Sequence, residues 1–371
     1  MATEAGGIRR RHGAGSGGCA VLAALLLAGG PSSAAAESFR GFPATPPSGF
    51  EQSVTDSLAA AAREAGLDPP LSAGPAVSVF PVALDAPSIE SPSASAAATK
   101  PKTLWIGAIA FATLAGSAYN SFSDGRNRRF HFTNEGFFGQ STYAGGADKA
   151  SHFVSYYIVA KLLAGVYQEL GMKFDSAQLL GAATSTAAGF VTELGDGRGK
   201  YGFSYEDLLF DSLGAVTQLG IAHYGLGDLI GFSAGLVPAP YEPCCPYGGT
   251  GKNYSQEIYS GDLRIAGLGR RAGFDPGPAR FLLFSMTYSS KGYPYSNPDV
   301  RERQIGLFLG VNFVEILRVT GVPEGAWWGK ILYFVFDVIR IPYTQIGYQY
   351  DLNHGRWHGP TIGDAFPGGG P

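Results

Sequence analysis

The sequence predicts a mainly α protein: a four-helix, membrane-associated bundle, then a Gly- and aromatic-rich segment with a β-strand pair and a final helix. Three observations predict it. Four apolar runs of 19 to 23 residues follow one another between 103 and 224, separated by short polar links. Beyond Gly225 the pattern changes to glycine, proline and aromatic residues with stretches of period two. A last apolar run, 325–340, stops before Pro342, which ends or kinks a helix.

Ahead of these elements, residues 1–36 read as a secretory signal. Arg9, Arg10 and Arg11 form a basic start, 19–30 an apolar stretch, and Ala34, Ala35 and Ala36 a small-residue cleavage site. The segment is either removed or kept as an anchor. Cys19 precedes the apolar stretch instead of ending it, so it does not carry a lipoprotein's lipid. Removing 1–36 takes three arginines and Glu4, leaving 24 basic and 29 acidic residues. The resulting charge of about −5 argues against a nucleic-acid partner. Cys244 and Cys245 remain, adjacent, as a strained vicinal disulfide or as free or intermolecularly paired thiols. Residues 37–102, rich in Ala, Ser and Pro, cannot bury enough apolar surface to offset ordering entropy and read as a disordered tether.

The four runs are 103–122, 148–170, 176–194 and 204–224. Each is close to the ~20 residues that cross a hydrocarbon core, and small residues let helices approach closely. Lys161, Gln168, Glu169 and Asp211 oppose insertion, so the bundle either spans a membrane or lies against one. Arg126, Arg128 and Arg129 read as a solvated loop. Residues 280–288 and 305–313 read as two strands joined by a Gly/Pro/Asn-rich link. In the second, Ile305, Leu307, Leu309, Val311 and Phe313 share one face, with Gly306 and Gly310 opposite. Two strands cannot close a barrel, so an outer-membrane barrel is not expected. Trp327 and Trp328 beside Lys330 suit a membrane interface or core packing equally. His354 and His358 read as a surface loop, because flanking glycines and a proline disfavour a helix there.

Up-and-down connectivity would bring distant polar residues to one level of the bundle. Asp148, Lys149 and His152 open the second run, Glu193 closes the third, and Ser204, Asp207 and Asp211 open the fourth. Asp148 and His152 are i and i+4 on one helical face, as are Asp207 and Asp211. Ser204 suits an N-cap with Asp207 at the third helical position. Glu193 sits at the negative end of a helix dipole, unfavourably unless a cation compensates, with Lys149 or Arg198 in reach.

The pattern Asp148-Lys149-x-x-His152-Phe153, Glu193-x-x-Asp196, Gly202-x-Ser204-x-x-Asp207-x-x-x-Asp211 resembles the YfiM-like family of predicted periplasmic lipoproteins of unknown function. It is more distantly similar to VanZ-like membrane proteins. The resemblance covers about 145–220 and implies a grouping without a reaction. It departs in lacking a lipid-attachment cysteine and in carrying a long C-terminal half. The expected polar cluster is thus Asp148, Lys149, His152, Glu193, Asp196, Arg198, Ser204, Asp207 and Asp211. Its main expected role is a structural network that fixes the register of smooth helices. The alternative is a metal-assisted enzyme acting on a lipid or cell-wall substrate, with His152, Glu193, Asp207 and Asp211 holding a divalent cation. Export to a bacterial cell envelope and partners among membrane lipids or envelope proteins complete the expectation.

Overall fold

The computed structural model describes residues 102–123, 129–236, 254, 257–293, 301–341 and 343–362. The expected signal, the expected tether up to residue 101, the adjacent Cys244 and Cys245, Arg126 and Arg128 lie outside these residues, and all described residues belong to one compact unit. The four apolar runs are helices: α1 (Thr103–Ser123), α2 (Ala147–Glu169), α3 (Phe174–Asp196) and α4 (Tyr205–His223). Their ends follow local chemistry. At the end of α2, Gly171 (φ 87°) turns the chain. Its N–H donates to the Gln168 carbonyl at 2.8 Å and the Met172 N–H to the Tyr167 carbonyl at 3.0 Å, satisfying two carbonyls the helix leaves open. Ser204 caps α4 by accepting the Asp207 N–H at 3.2 Å.

α2 packs on α3 and α4, α3 packs on α4, and α1 lies against α3. Glycines permit the close approaches. A Cβ at Gly214 would stand 2.1 Å from the Phe153 carbonyl oxygen, and one at Gly181 2.8 Å from the Ala160 oxygen. Between these backbones Ala160, Ala182 and Ala215 make a core of small side chains.

Of the two arrangements left open, spanning a membrane or lying against one, the first lacks a helix to carry it: among the described residues no helix is long and apolar enough to cross. The charges explain why. Lys161, midway along α2, ion-pairs with Asp337, which also holds Arg264. Burial works to raise the Asp337 carboxyl, but Arg264 and Lys161 outweigh it and hold it below the usual carboxylate range. Glu169 at the end of α2 meets Lys330 at 2.5 Å. α2 therefore spends its charges on other elements of the protein.

Two short strands, β1 (Phe132–Thr133) and β2 (Phe203–Ser204), pair in parallel beside the helices. Six further strands form one antiparallel sheet in sequence order. They are β3 (Ile230–Leu236), β4 (Glu257–Arg264), β5 (Leu282–Lys291), β6 (Glu302–Val311), β7 (Gln345–Asp351) and β8 (Arg356–Ile362). The expected pair corresponds to β5 and β6, with Phe284 opposite Leu309 and Met286 opposite Leu307. The expectation of a lone pair is corrected to six strands. β3, β7 and β8 are seven residues each and carry glycine within, which hides them from a search for apolar alternation. His358 lies on β8, so only His354, in the turn before it, matches the expected loop.

Short helices α5 (Ile265–Ala272) and α6 (Phe313–Val319) precede α7 (Trp327–Val338), the expected final helix, which two strands in fact follow. Trp327 and Trp328 are exposed. The sheet meets the helices where Phe232 packs edge-on against Phe153 and Tyr157, at 5.0 and 5.2 Å between ring centroids. Gly214→Ala is expected to force α2 and α4 apart and cost about 2 kcal/mol in thermal or denaturant unfolding. Gly220→Ala, with nothing within 4 Å of its Cβ, should be neutral or stabilising by up to about 1 kcal/mol.

Candidate functional site

Lys149 lies at the centre of a buried polar cluster, with 2% of its side chain exposed. Its Nζ is 2.7 Å from Glu135 Oε2, 2.9 Å from Asp148 Oδ2 and 2.5 Å from Asp207 Oδ1. His152 follows one turn later on α2. Its Nδ1 is 2.7 Å from Asp211 Oδ1, and its Nε2 is 3.8 Å from Asp148 Oδ1 and 3.9 Å from Asp207 Oδ1. Tyr156 stacks on the imidazole at 6.2 Å.

Glu193 enters from the last turn of α3 and is 1% exposed. Its Oε2 accepts the Ser204 backbone N–H at 2.9 Å. Its Oε1, together with Asp211 Oδ2, is buried without a hydrogen-bond partner among the described residues. Asp211 reaches this position because α3 has a glycine there: a Cβ at Gly189 would stand 2.4 Å from Asp211 Oδ2.

The chain around the helices completes the arrangement. The β1–β2 ladder, Phe132 to Phe203 and Thr133 to Ser204, holds the segment before α2 beside the start of α4 and so delivers Glu135 to Lys149. Gly202 makes the approach possible at φ 93°, where a Cβ would stand 1.9 Å from Thr133 Oγ1. Fully buried Glu206 accepts the Ser204 hydroxyl at 3.2 Å and the Gly136 N–H at 3.3 Å. From beyond β3, the Tyr254 hydroxyl donates to Asp148 Oδ1.

Six carboxyl groups, Glu135, Asp148, Glu193, Glu206, Asp207 and Asp211, thus surround two cationic side chains. The excess of acid governs protonation. Burial, with the Asp207 charge adding to it, pushes the Glu193 carboxyl up to about 9 against the pull of His152. Burial with Asp148 and Asp207 raises Glu135 to about 7. Asp207 and Asp211 are also raised by burial, His152 opposing. Burial alone would lower His152, but Asp211, Asp207 and Asp148 outweigh it and bring the imidazole to about 10. Lys149 likewise stays above its ordinary value, because Asp148, Asp207 and Glu135 overcome its desolvation.

Of the residues expected in the cluster, Asp148, Lys149, His152, Glu193, Ser204, Asp207 and Asp211 come together. Asp196 is half-buried and acts on Glu193 as a like charge that adds to its rise. Arg198 is exposed, turned outward by the glycine-rich turn after α3. It does not compensate Glu193, and neither does Lys149; the Ser204 N–H and the imidazolium do. Sequence reasoning missed Glu135, Glu206 and Tyr254. Glu206 was the accessible one, since an acid in the first turn of α4 favours the helix N-terminus. Glu135 lies on a loop and Tyr254 in a short 3-10 turn, where no period marks them.

Two donor sets share His152: Asp148, His152 and Asp207, and His152, Glu193 and Asp211, the donor atoms of each within 4.8 Å of one another. A third set, Glu302, Asp351 and His354, lies at the far end of the sheet, where Arg356 already approaches Glu302 at 3.4 Å and Asp351 at 3.7 Å.

Residues 134–221 match the model of a family described as Predicted periplasmic lipoprotein (DUF2279). The matched span holds every member of the cluster except Tyr254. This agrees with an exported cell-envelope protein of unknown function. No curated protein and no solved structure matches the chain.

Among the raised groups, Glu193 and His152 set a pH dependence. Between about 4.5 and about 9 the folded chain binds more protons at Glu193 than the unfolded chain, so stability falls as pH rises through that window. The His152 contribution is full below 6.5 and is lost as pH approaches about 10. Denaturant unfolding in chelator is therefore expected to show declining stability from pH 6.5 to 9. Glu193→Gln should make that decline shallower, and an unchanged slope would refute the assignment.

Proposed function

We propose that the chain is an exported cell-envelope protein whose helical half is held in register by the buried charge cluster, and that a divalent cation completes the cluster. The carrying observation is the pair of buried carboxylate oxygens, Glu193 Oε1 and Asp211 Oδ2, left without hydrogen-bond partners among the described residues in the donor set they share with His152. A self-contained structural network pairs its buried oxygens. Here acid outnumbers base, and a divalent cation at His152, Glu193 and Asp211 would neutralise the surplus. Imidazole and carboxylate together suit Zn, Mn or Fe, with Asp207 and Asp148 on the other side of the ring. Binding would displace the proton that the acids otherwise hold on His152. The likeness of Asp148-Lys149-x-x-His152 and the later acids to YfiM-like and VanZ-like proteins supports the same grouping of residues.

A second reading, a metal-assisted enzyme acting on a lipid or cell-wall substrate, draws on His152. Its side chain is 15% exposed, more than Lys149, Asp148, Asp207 or Asp211 around it, so a bound cation would have a route to solvent there.

Metal analysis of the purified chain after dialysis against Zn or Mn tests both. One equivalent per chain is expected in the wild type and none in His152→Ala. At a hundredfold excess over Kd the wild type alone should gain about 2.7 kcal/mol. A wild type that binds no metal and gains no stability leaves the structural network and removes both cation readings.

A further inference from the structure

The six-stranded sheet is inverted. In β6 the exposed positions are Ile305, Leu307 and Leu309, while Gln304, Gly306, Phe308 and Gly310 are buried. β7 repeats the pattern, with Ile346 and Tyr348 exposed between buried Gln345, Gly347 and Gln349. In β5, Phe284 and Met286 face outward and Ser285 and Thr287 inward. Strand register makes these single faces. Phe284, Leu309 and Ile346 align across three strands, as do Met286, Leu307 and Tyr348 in the next row. The inner face is mostly polar or small, with Phe308 and Ile258 among its buried residues. Asp262 on β4 accepts from Ser233 at 2.7 Å and Ser285 at 2.6 Å, and Arg340 bonds Gln345 and lies over the Phe308 ring.

A sheet in water places its alternation the other way, apolar face inward. Apolar residues outward and polar or small residues inward is the arrangement of a sheet whose outer neighbour is hydrocarbon. Helix α2 covers this outer face only near Phe232, Ala234 and Tyr288. Among the described residues, the uncovered part between the Ile305 and Leu309 rows carries no hydrogen-bonding side chain other than the phenols of Tyr348 and Tyr350. A protein interface of such size normally supplies one hydrogen bond per 100–200 Å², whereas lipid tails supply none.

The ends of the band agree. Tyr350 and Trp357 stand side by side in the last row, 5.1 Å between ring centroids, as aromatic residues do at a membrane–water boundary. Just beyond them, at the β5–β6 and β7–β8 end, lie Lys291, Arg301, Arg303 and Arg356, the last with 56% of its side chain exposed. The acids among the described residues there, Glu302 and Asp351, are 13% and 0% exposed. Among the described residues of that rim, Arg356 supplies the exposed charge, and it complements anionic headgroups. Four residues separate Ile305 from Leu309, a height of about 14 Å. That is about half of the ~30 Å hydrocarbon core, so the band fits one leaflet and does not span.

We propose that the outer face of β5–β7 docks the protein on a phospholipid leaflet, with Tyr350 and Trp357 at the headgroup level and Arg356 against anionic lipid. This surface is independent of the charge cluster, and loss of the cation site would leave it intact.

Flotation of the purified full chain with vesicles of phosphatidylcholine, with and without phosphatidylglycerol, tests it. Wild type is expected to float with both and more strongly with the anionic lipid. The Trp357 emission should shift to the blue on binding, read as the part of the signal lost in Trp357→Phe. The triple variant Leu307→Glu, Leu309→Glu, Ile346→Glu changes exposed side chains only and should lower the bound fraction more than about tenfold with an unchanged unfolding midpoint. Phe111→Ser, on the exposed face of α1, should bind as wild type does and serves as the control. If the triple variant loses its fold, Trp357 quenching by brominated lipid in the wild type carries the test alone. Three outcomes overturn the proposal: wild type that does not float, a triple variant that is folded and floats unchanged, or a wild-type dimer by analytical ultracentrifugation that the triple variant dissolves while vesicles bind neither.

Discussion

A lysine ammonium removed from water must be surrounded by anions, and Lys149 is met by three carboxylates from three parts of the chain. Each of those acids imposes a local structure. Glu135 requires the β1–β2 ladder, which requires Gly202 at positive φ. Asp207 requires α4 to begin at Ser204, and Asp148 requires α2 to begin at Ala147. Satisfying one cation with three acids leaves a net negative centre, and His152 is held protonated to offset it. The remaining acids, Glu193 and Asp211, then sit where their charge is costly, and burial raises both toward protonation.

The same logic joins the helices to the sheet. Asp337 on α7 accepts both Lys161 of α2 and Arg264 of β4, and Tyr254 ties Asp148 to the start of β4. Breaking one partner of such a set leaves a buried charge unpaired, which costs more than the intact set contributes. The polar contacts therefore specify how the two halves meet, while small residues and aromatic rings fill the contact. The closeness of α2 to α4, set by Gly214, brings Asp211 within reach of His152.

Much of the cluster was legible because helices convert sequence spacing into faces and ends. Asp148 and His152 stack at i and i+4, and short links between runs bring the end of α3 level with the starts of α2 and α4. Arg198 was misplaced because it lies past the end of α3, where glycines at 195, 197 and 199 release the chain from helical direction. Glu135, on a loop, and Tyr254, in a short 3-10 turn, were invisible for the related reason that such short stretches carry no period. Apolar length alone left a membrane crossing open and the charge of Lys161 spoke against it, but the sequence could not show that its partner lies 176 residues away.

In the strands the division is sharper. Alternation in 305–311 determined that the apolar residues share a face, because successive side chains on a strand point oppositely. It did not determine which face is buried, since a period of two reads the same from either side. That was settled by the neighbours: on the inner face Ser285 bonds Asp262 and Arg340 bonds Gln345, and buried polar groups need the partners that this face supplies. Helical spacing likewise determined which acids align with His152, but their protonation depends on how many other charges the folded chain packs beside them.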